Sequence, residues 1–377
     1  MKTHDKTTRE PLLRVVKRDS MPIWKSMLIR VIAVLAGLLV CAFLSMAVLD
    51  NVSFMKFIET LFDGAVGSER TLWKLAKNTA VLLCISLAVT PAFRMKFWNI
   101  GAEGQTLIGA LASVAVAYYL GGKVAEPVLL LLMLVCAVLA GAVWGMLPAI
   151  FKAKWNTNET LFTLMMNYVA TGLVAFCLAK WCPSNGSVLP RLKFGHLPVL
   201  LNEYLLLILV TLALTFIVHV YLYYTKHGYE ISVVGESENT ARYIGINVGK
   251  VIIRTMIVSG AVCGLAGFLI VGALDHSITT GSVGGMGFTA IMVSWLAKFN
   301  PLVMIGSSLF VTFMQQGAAE IGSAVDPSFP NIIVGIVLFF IIGCEFFIGY
   351  RLKFREKTEK TEKQKEAEKA EKGGAAS

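Results

Sequence analysis

Polar side chains and close-set glycines crowd into Phe97-Trp98-Asn99-Ile100-Gly101-Ala102-Glu103-Gly104-Gln105, at the head of an otherwise apolar stretch that runs to Leu120. A carboxylate inside a membrane span costs at least ~2.5 kcal/mol and by default marks a pathway or relay. On a helix Asn99, Glu103 and Thr106 share a face, because side chains three and four positions apart are neighbours. Two plainer readings of Glu103 stand beside this one: the side chain reaches back to the interface, or it is hydrogen-bonded into a helix contact. A second polar stripe, Glu159, Thr163 and Asn167, lies within Asn158-Glu159-Thr160-Leu161-Phe162-Thr163-Leu164-Met165-Met166-Asn167. Its spacing again puts the three on one helix face, with Asn167 about two turns past the entry.

Other chemistries find no constellation. Seven cysteines form no CxxC pair and fall mostly in apolar runs, so they read as small hydrophobes. The five histidines show no HExxH spacing, and no nucleophile with a base is visible at membrane depth, so no catalytic or metal site is expected. Thr279-Thr280-Gly281-Ser282-Val283-Gly284-Gly285-Met286-Gly287 lacks the Gly-Lys-Ser/Thr ending of a phosphate loop. If the protein uses ATP with magnesium, another chain binds it.

The elements that must hold these residues are membrane helices. With 56% hydrophobic and 15% charged residues, the 377-residue chain is far from the ~25% charge of soluble domains. The fold class expected is an all-α polytopic membrane protein of about ten transmembrane helices, from apolar runs at 27–49, 72–93, 100–120, 127–150, 160–180, 204–224, 251–274, 286–297, 302–316 and 331–350. The eighth and ninth runs are short, which suggests re-entrant or broken helices near 286–316. Basic residues concentrate in the two tails and alternate connections, so both termini are expected in the cytoplasm. The chain then divides into a basic segment 1–26, a transmembrane domain 27–350 and a charged tail 351–377. The net charge of +10 sits mainly in the tails, with no aromatic-interleaved basic module, which argues against a nucleic-acid partner. Gly141/Gly145 and Gly260/Gly264 have the spacing that lets helices approach closely.

The longest cytoplasmic connection, 225–250, holds Gly235-Glu236-Ser237-Glu238-Asn239-Thr240-Ala241-Arg242-Tyr243-Ile244-Gly245-Ile246-Asn247-Val248. Ser237 is placed to cap a short helix, Glu238 lies in its first turn and Gly245 ends it. Ala241 and Ile244 would make a small apolar face. This describes either a docking peg for a soluble partner or an ordinary interfacial helix.

Trp98 to Gln105, Asn158 to Tyr168, Ala241 to Ile246 and Gly287-Phe288-Thr289-Ala290-Ile291 together resemble the permease subunits of bacterial ABC importers. The likeness is to the branch that takes up nucleosides and simple sugars with a basic-membrane-protein-type lipoprotein receptor. It covers roughly residues 70–350, with the pieces in the family's order. It implies a location in the bacterial plasma membrane and an assembly with a second permease, a double-cassette ATPase and an external binding lipoprotein. It also implies that Gly235, Glu236, Ala241, Arg242, Ile244, Gly245 and Ile246 belong to the ATPase-coupling loop. Trp98, Asn99, Glu103, Gln105, Thr163, Asn167, Phe288 and Thr289 would line or brace the substrate passage. Purine or general nucleosides are the implied substrate, with pentoses as the alternative. The chain departs from the family at Ser237-Glu238-Asn239-Thr240, where a proline is usual, and at Phe162, where a smaller or branched residue is common.

A neutral, polar nucleoside needs hydrogen bonds and stacking surface in place of water. Asn99, Gln105, Thr163, Asn167 and Thr289 are candidates for the first; Phe97, Trp98 and Phe288 for the second. Glu103 would accept from ribose hydroxyls or brace Asn99. It starts only ~10 Å from the cytoplasmic edge by helical rise, which favours an inner gate or brace, with Asn167 and Thr289 deeper. Glycine-interrupted segments near Gly101/Gly104 and Gly284/Gly287 should meet if the halves are repeats around a central site. A proton- or sodium-driven carrier using Glu103 is the rival from another class.

Overall fold

The computed structural model describes residues 13–18, 21–48, 53–182, 188–199, 202–322 and 329–354. Much of the basic segment 1–26 and nearly all of the charged tail 351–377 lie outside the described residues. In chain order the elements are β1 (Leu13–Lys17), α1 (Ile23–Val48), α2 (Phe54–Val66), α3 (Glu69–Arg94), α4 (Ala102–Leu120), α5 (Glu126–Trp155) and α6 (Glu159–Trp181). There follow α7 (Leu205–Tyr224), α8 (Lys226–Glu236), α9 (Glu238–Tyr243) and α10 (Val248–Leu269) with a widened π turn, Ile270–Asp275. The chain closes with α11 (Met286–Leu296), α12 (Pro301–Gly322), α13 (Phe329–Gly349) and β2 (Tyr350–Phe354).

Among the described residues, eight helices are long and apolar enough to cross a membrane: α1, α3, α5, α6, α7, α10 with its π turn, α12 and α13. Two of the ten expected runs fall outside this set. The run at 100–120 becomes the 19-residue α4, whose start is polar and largely buried, and the run at 286–297 becomes the 11-residue α11. The ninth run, expected to be short, is a full helix of 22 residues. Its apolar pattern is interrupted by Gln315 and Gln316, but the helix continues through them, with Gln316 Nε2 turned to the carbonyls of Gly64, Ala65 and Thr71.

The chain forms two compact units. One, residues 1–47 with 335–377, joins α1 to most of α13 through an ion pair of Arg30 with Glu345 at 2.7 Å. In it β1 runs antiparallel to β2, with Leu13 opposite Phe354 and Lys17 opposite Tyr350. The other unit, 48–334, carries every candidate site residue. Its centre is α10 packed on α5, α4 and α3. Glycines set that packing: a Cβ on Gly141 would lie 2.3 Å from the Gly260 carbonyl oxygen, and one on Gly264 would lie 2.2 Å from that of Ala137. The small-residue spacing read from the sequence is thus the α5–α10 contact itself.

Helix starts follow local capping rules. Ser68 and Thr71 form a capping box on α3, and Asn158, Thr225, Ser237 and Asn247 each accept a backbone N–H at the starts of α6, α8, α9 and α10. The start of α4 is different. Its N-cap is Gly101, which has no side chain to offer.

Candidate functional site

After Arg94 the chain does not leave the helical bundle. It turns back through Met95–Gly101, with Lys96 at φ 60°, and buries Asn99 completely. Asn99 Oδ1 accepts from Gly101 N at 3.0 Å and Gln105 Nε2 at 3.2 Å, while its Nδ2 donates to Gln105 Oε1 and Ser259 Oγ, both at 3.3 Å. Ser259 stands eleven residues beyond Val248 on α10, about 16 Å along that helix. Asn99 therefore lies near the middle of α10 rather than one or two turns from its start. It also precedes α4, so Asn99, Glu103 and Thr106 do not form the single helix face that their spacing suggested.

The missing cap of α4 comes from α6. Asn167 Oδ1 accepts the Gly104 N–H at 2.9 Å and its Nδ2 donates to Ile100 O at 2.9 Å. Thr163 Oγ1 accepts from Ile100 N at 3.2 Å and donates to Glu159 O at 2.8 Å. The helices come this close because residue 104 has no side chain: a Cβ on Gly104 would sit 2.8 Å from Asn167 Oδ1 and 2.9 Å from its Cα. Glu159, third member of the stripe, pairs with Lys152 at 2.9 Å and is not part of this cluster.

Glu103 joins the two interrupted segments. Its Oε1 accepts from Gly285 N and its Oε2 from Gly287 N, each at 2.8 Å. Gly284 and Gly285 hold φ of 61° and 78°, a left-handed turn that starts α11. A Cβ on Gly287 would lie 2.4 Å from Glu103 N, so the two backbones touch. The positive ends of α4 and α11 thus face one another, and the carboxylate between them satisfies orphan N–H groups while offsetting both dipoles. The glycine-interrupted segments meet, as paired halves around a centre would.

Most of the expected ligands are consumed in this structure. Asn99, Gln105, Thr163 and Asn167 are buried and bonded to one another or to backbone, and Phe97 is buried as well. The accessible groups are aromatic: Trp98 is 44% exposed and Phe288 40%. Thr289 is half-buried, its hydroxyl donating to Gly285 O at 3.4 Å. Residues absent from the sequence reading join them. Trp295, 45% exposed, sits with its ring 5.5 Å from that of Trp98, and Met292 is 42% exposed between Trp295 and Phe288. The signal for these two was their helical spacing from Phe288 in a segment otherwise read only as short. Ser259, inside an apolar run, had none.

Residues 72–342 match the family described as the branched-chain amino acid transport system / permease component. The chain belongs to this family. The permease is 28% identical to the glucose ABC transporter permease protein TsgB13 of Haloferax volcanii, covering 90% of this chain and 93% of the relative. It is 27% identical to the guanosine ABC transporter permease protein NupP of Bacillus subtilis, covering 84% and 92%. With the nucleoside ABC transporter permease protein NupB of Lactococcus lactis it shares 24%, over 84% and 91%. It is accordingly a multi-pass permease subunit of an ABC transporter, not itself an enzyme.

In the permease the 225–250 connection folds as two helices. Ser237 Oγ accepts from Thr240 N, and α9 ends in a Schellman turn, Ile246 N to Ala241 O and Gly245 N to Arg242 O, with Gly245 at φ 84°. Ala241 is buried, while Glu236, Arg242 and Ile244 point outward, Ile246 is half-buried, and Tyr243 is 95% exposed. Gly235 faces inward: a Cβ there would meet Arg94 O at 2.2 Å, so α8 rests on the last carbonyl of α3. Arg94 in turn stacks its guanidinium 4.4 Å from the Tyr223 ring. Arg254 at the start of α10 reaches both His227 and Glu230 of α8.

Beyond the far end of α10, residues 188–197 are strapped to the π turn and to the residues that follow it. Leu192 N donates to His276 O at 2.8 Å and Leu197 N to Gly272 O at 2.9 Å. The rings of His196 and His276 lie 4.1 Å apart. Burial, and then the neighbouring His196, push the His276 pKa below its usual value.

Proposed function

We propose that the permease forms the membrane passage for nucleosides, purine or general, in an importer driven by ATP and magnesium on a separate, double-cassette ATPase chain. The observation that carries this is the internal neutralisation of the site. Both oxygens of Glu103 are spent on Gly285 and Gly287, and among the described residues no ion pair reaches Glu103, Asn99 or Asn167. A passage built this way offers an amino acid neither a free carboxylate for its ammonium nor a cation for its carboxylate, and suits an uncharged solute. The guanosine and nucleoside permeases among its relatives support the choice of solute.

Glu103, with Asn99, Gln105, Thr163 and Asn167, braces the passage in this reading, while Trp98, Phe288 and Thr289 face it. The connection 225–250 lies in the cytoplasm and couples to the ATPase through Glu236, Arg242, Ile244 and Ile246, with Gly235 relaying motion to Arg94. A second permease subunit and an extracytoplasmic substrate-binding lipoprotein complete the importer, and both termini are cytoplasmic.

The test is uptake of labelled guanosine into vesicles holding the permease with its partners, with and without ATP, and with sugars as competitors. ATP-dependent uptake blocked by nucleosides supports the reading. A second reading, simple-sugar transport, is favoured by the similarity to the glucose permease, and competition by glucose or pentoses alone would select it. Uptake that persists without any ATPase would replace both with an ion-coupled carrier.

A further inference from the structure

We infer that the exposed stripe of α11, Phe288, Met292 and Trp295, closed at its end by Trp98, is the wall along which the planar ring of the transported solute passes. This rests on the nucleoside reading and adds the residues that touch the base. The three α11 positions are four and three apart, so they form one face about 10 Å long. The opposite face, Gly287, Ala290, Val293 and Ser294, is buried. Trp98 arrives from the break before α4 and meets Trp295 near the end of α11. Behind the pair, Phe93 and Phe299 stack at 6.2 Å with 7° between their planes and meet Trp98 and Trp295 edge-on.

Lipid would be the other cover for such a stripe, and three features argue against it. At its head stands the half-buried Glu103, beside the half-buried Thr289. A carboxylate facing hydrocarbon is expensive, whereas one lining a water-filled cavity is tolerated. Neither indole N–H has a hydrogen-bond partner among the described residues. Finally, α11 at 11 residues covers about half of a ~30 Å hydrocarbon core. Its N-terminus, with the stripe, begins at the helix break near the middle of α10. Offset stacking on such a wall is attractive yet weak, as passage requires, because a solute held tightly is not released.

The experiment uses the complete transporter in proteoliposomes with Met292→Cys, and Leu139→Cys on the exposed face of α5 as the lipid-facing control. The probe is a membrane-impermeant anionic methanethiosulfonate, with the wild-type cysteines as background. Met292→Cys should react at least tenfold faster than Leu139→Cys, about 1.4 kcal/mol of added accessibility, and guanosine but not ribose should slow it. Reaction no faster than the control would show that lipid covers the stripe, and fast reaction indifferent to guanosine would remove the ring from it; either result overturns the inference. Trp295→Leu should lower guanosine uptake by roughly fivefold while Trp295→Phe keeps most of it; equal uptake in both would also overturn it. Failure of the nucleoside reading shows separately, as wild-type vesicles that take up glucose and not guanosine.

Discussion

Asn167 on α6 caps a helix to which it does not belong: its amide accepts the Gly104 N–H of α4 and donates to the Ile100 carbonyl, both at 2.9 Å. An N-cap supplied across a helix interface ties the folding of α4 to the position of α6. Asn167→Ala leaves a buried donor and acceptor unpaired, at about 1–3 kcal/mol each. The expected result is a clear fall in the melting temperature of the detergent-solubilised permease, with membrane insertion intact. An unchanged melting curve would mean that α4 holds its start without help.

Glu103 places one oxygen on each of two α11 N–H groups. In Glu103→Gln the amide keeps one acceptor and turns a donor toward the other N–H, so about 2 kcal/mol of charge-assisted bonding is lost. Uptake should fall sharply at near-normal expression. A variant with full uptake would show that α11 does not depend on this contact.

Two glycines make a matched pair. Gly287→Ala drives a methyl group into the Glu103 backbone, 2.4 Å from its nitrogen, and should destabilise by about 1–3 kcal/mol. Gly172→Ala on α6 meets nothing within 4 Å and should be neutral, or stabilising by up to about 1 kcal/mol. Thermal melts of the two variants side by side check both directions at once.

Tyr243 and Arg242 lie on the outward face of α9, and the Arg242–Glu238 ion pair, 3.5 Å long and exposed, contributes little to folding. Tyr243→Asp and Arg242→Glu should leave the melting temperature within the range of surface changes, about ±0.5 kcal/mol. Both should abolish co-purification of the ATPase. Normal association would remove α9 from the coupling surface.

His276 has a pKa lowered in the fold, so the native strap prefers the neutral ring. At pH well above the ordinary value of 6.5 neither folded nor unfolded chain is protonated there and the strap is at full stability. As pH falls below 6.5 the unfolded state takes the proton first, and stability declines until the native ring is itself protonated. The protection of the amides of residues 188–197, with exchange corrected for its own dependence on hydroxide, should therefore fall between neutral and mildly acidic pH. His276→Gln should flatten that dependence.

Composition and local spacing alone determined that this is a helical membrane protein: the apolar runs, the caps at Ser237 and Asn158, the turn at Gly245 and the glycine pairs of α5 and α10 are all short-range patterns, and each is found in the structure. The Phe97–Gln105 and Gly284–Gly287 segments were also legible as irregular. What they do was decided by tertiary structure. Spacing assigned Asn99, Glu103 and Thr106 to one helix face, but with Asn99 hydrogen-bonded to Ser259 the helix begins only at Ala102. Spacing offered Asn99, Gln105 and Asn167 as ligands, but a polar group buried among helices must be satisfied: Asn99 and Gln105 satisfy each other, and Asn167 is satisfied by the backbone of Ile100 and Gly104. Whether a side chain is spent on its neighbours or left for a solute depends on which helix lies opposite, and Thr163, Ser259 and Gly287 come from segments remote in sequence. That is why Glu103 changes from a carboxylate in an apolar run to the clasp between two helix ends, and why Trp295 becomes visible only once it stands beside Trp98.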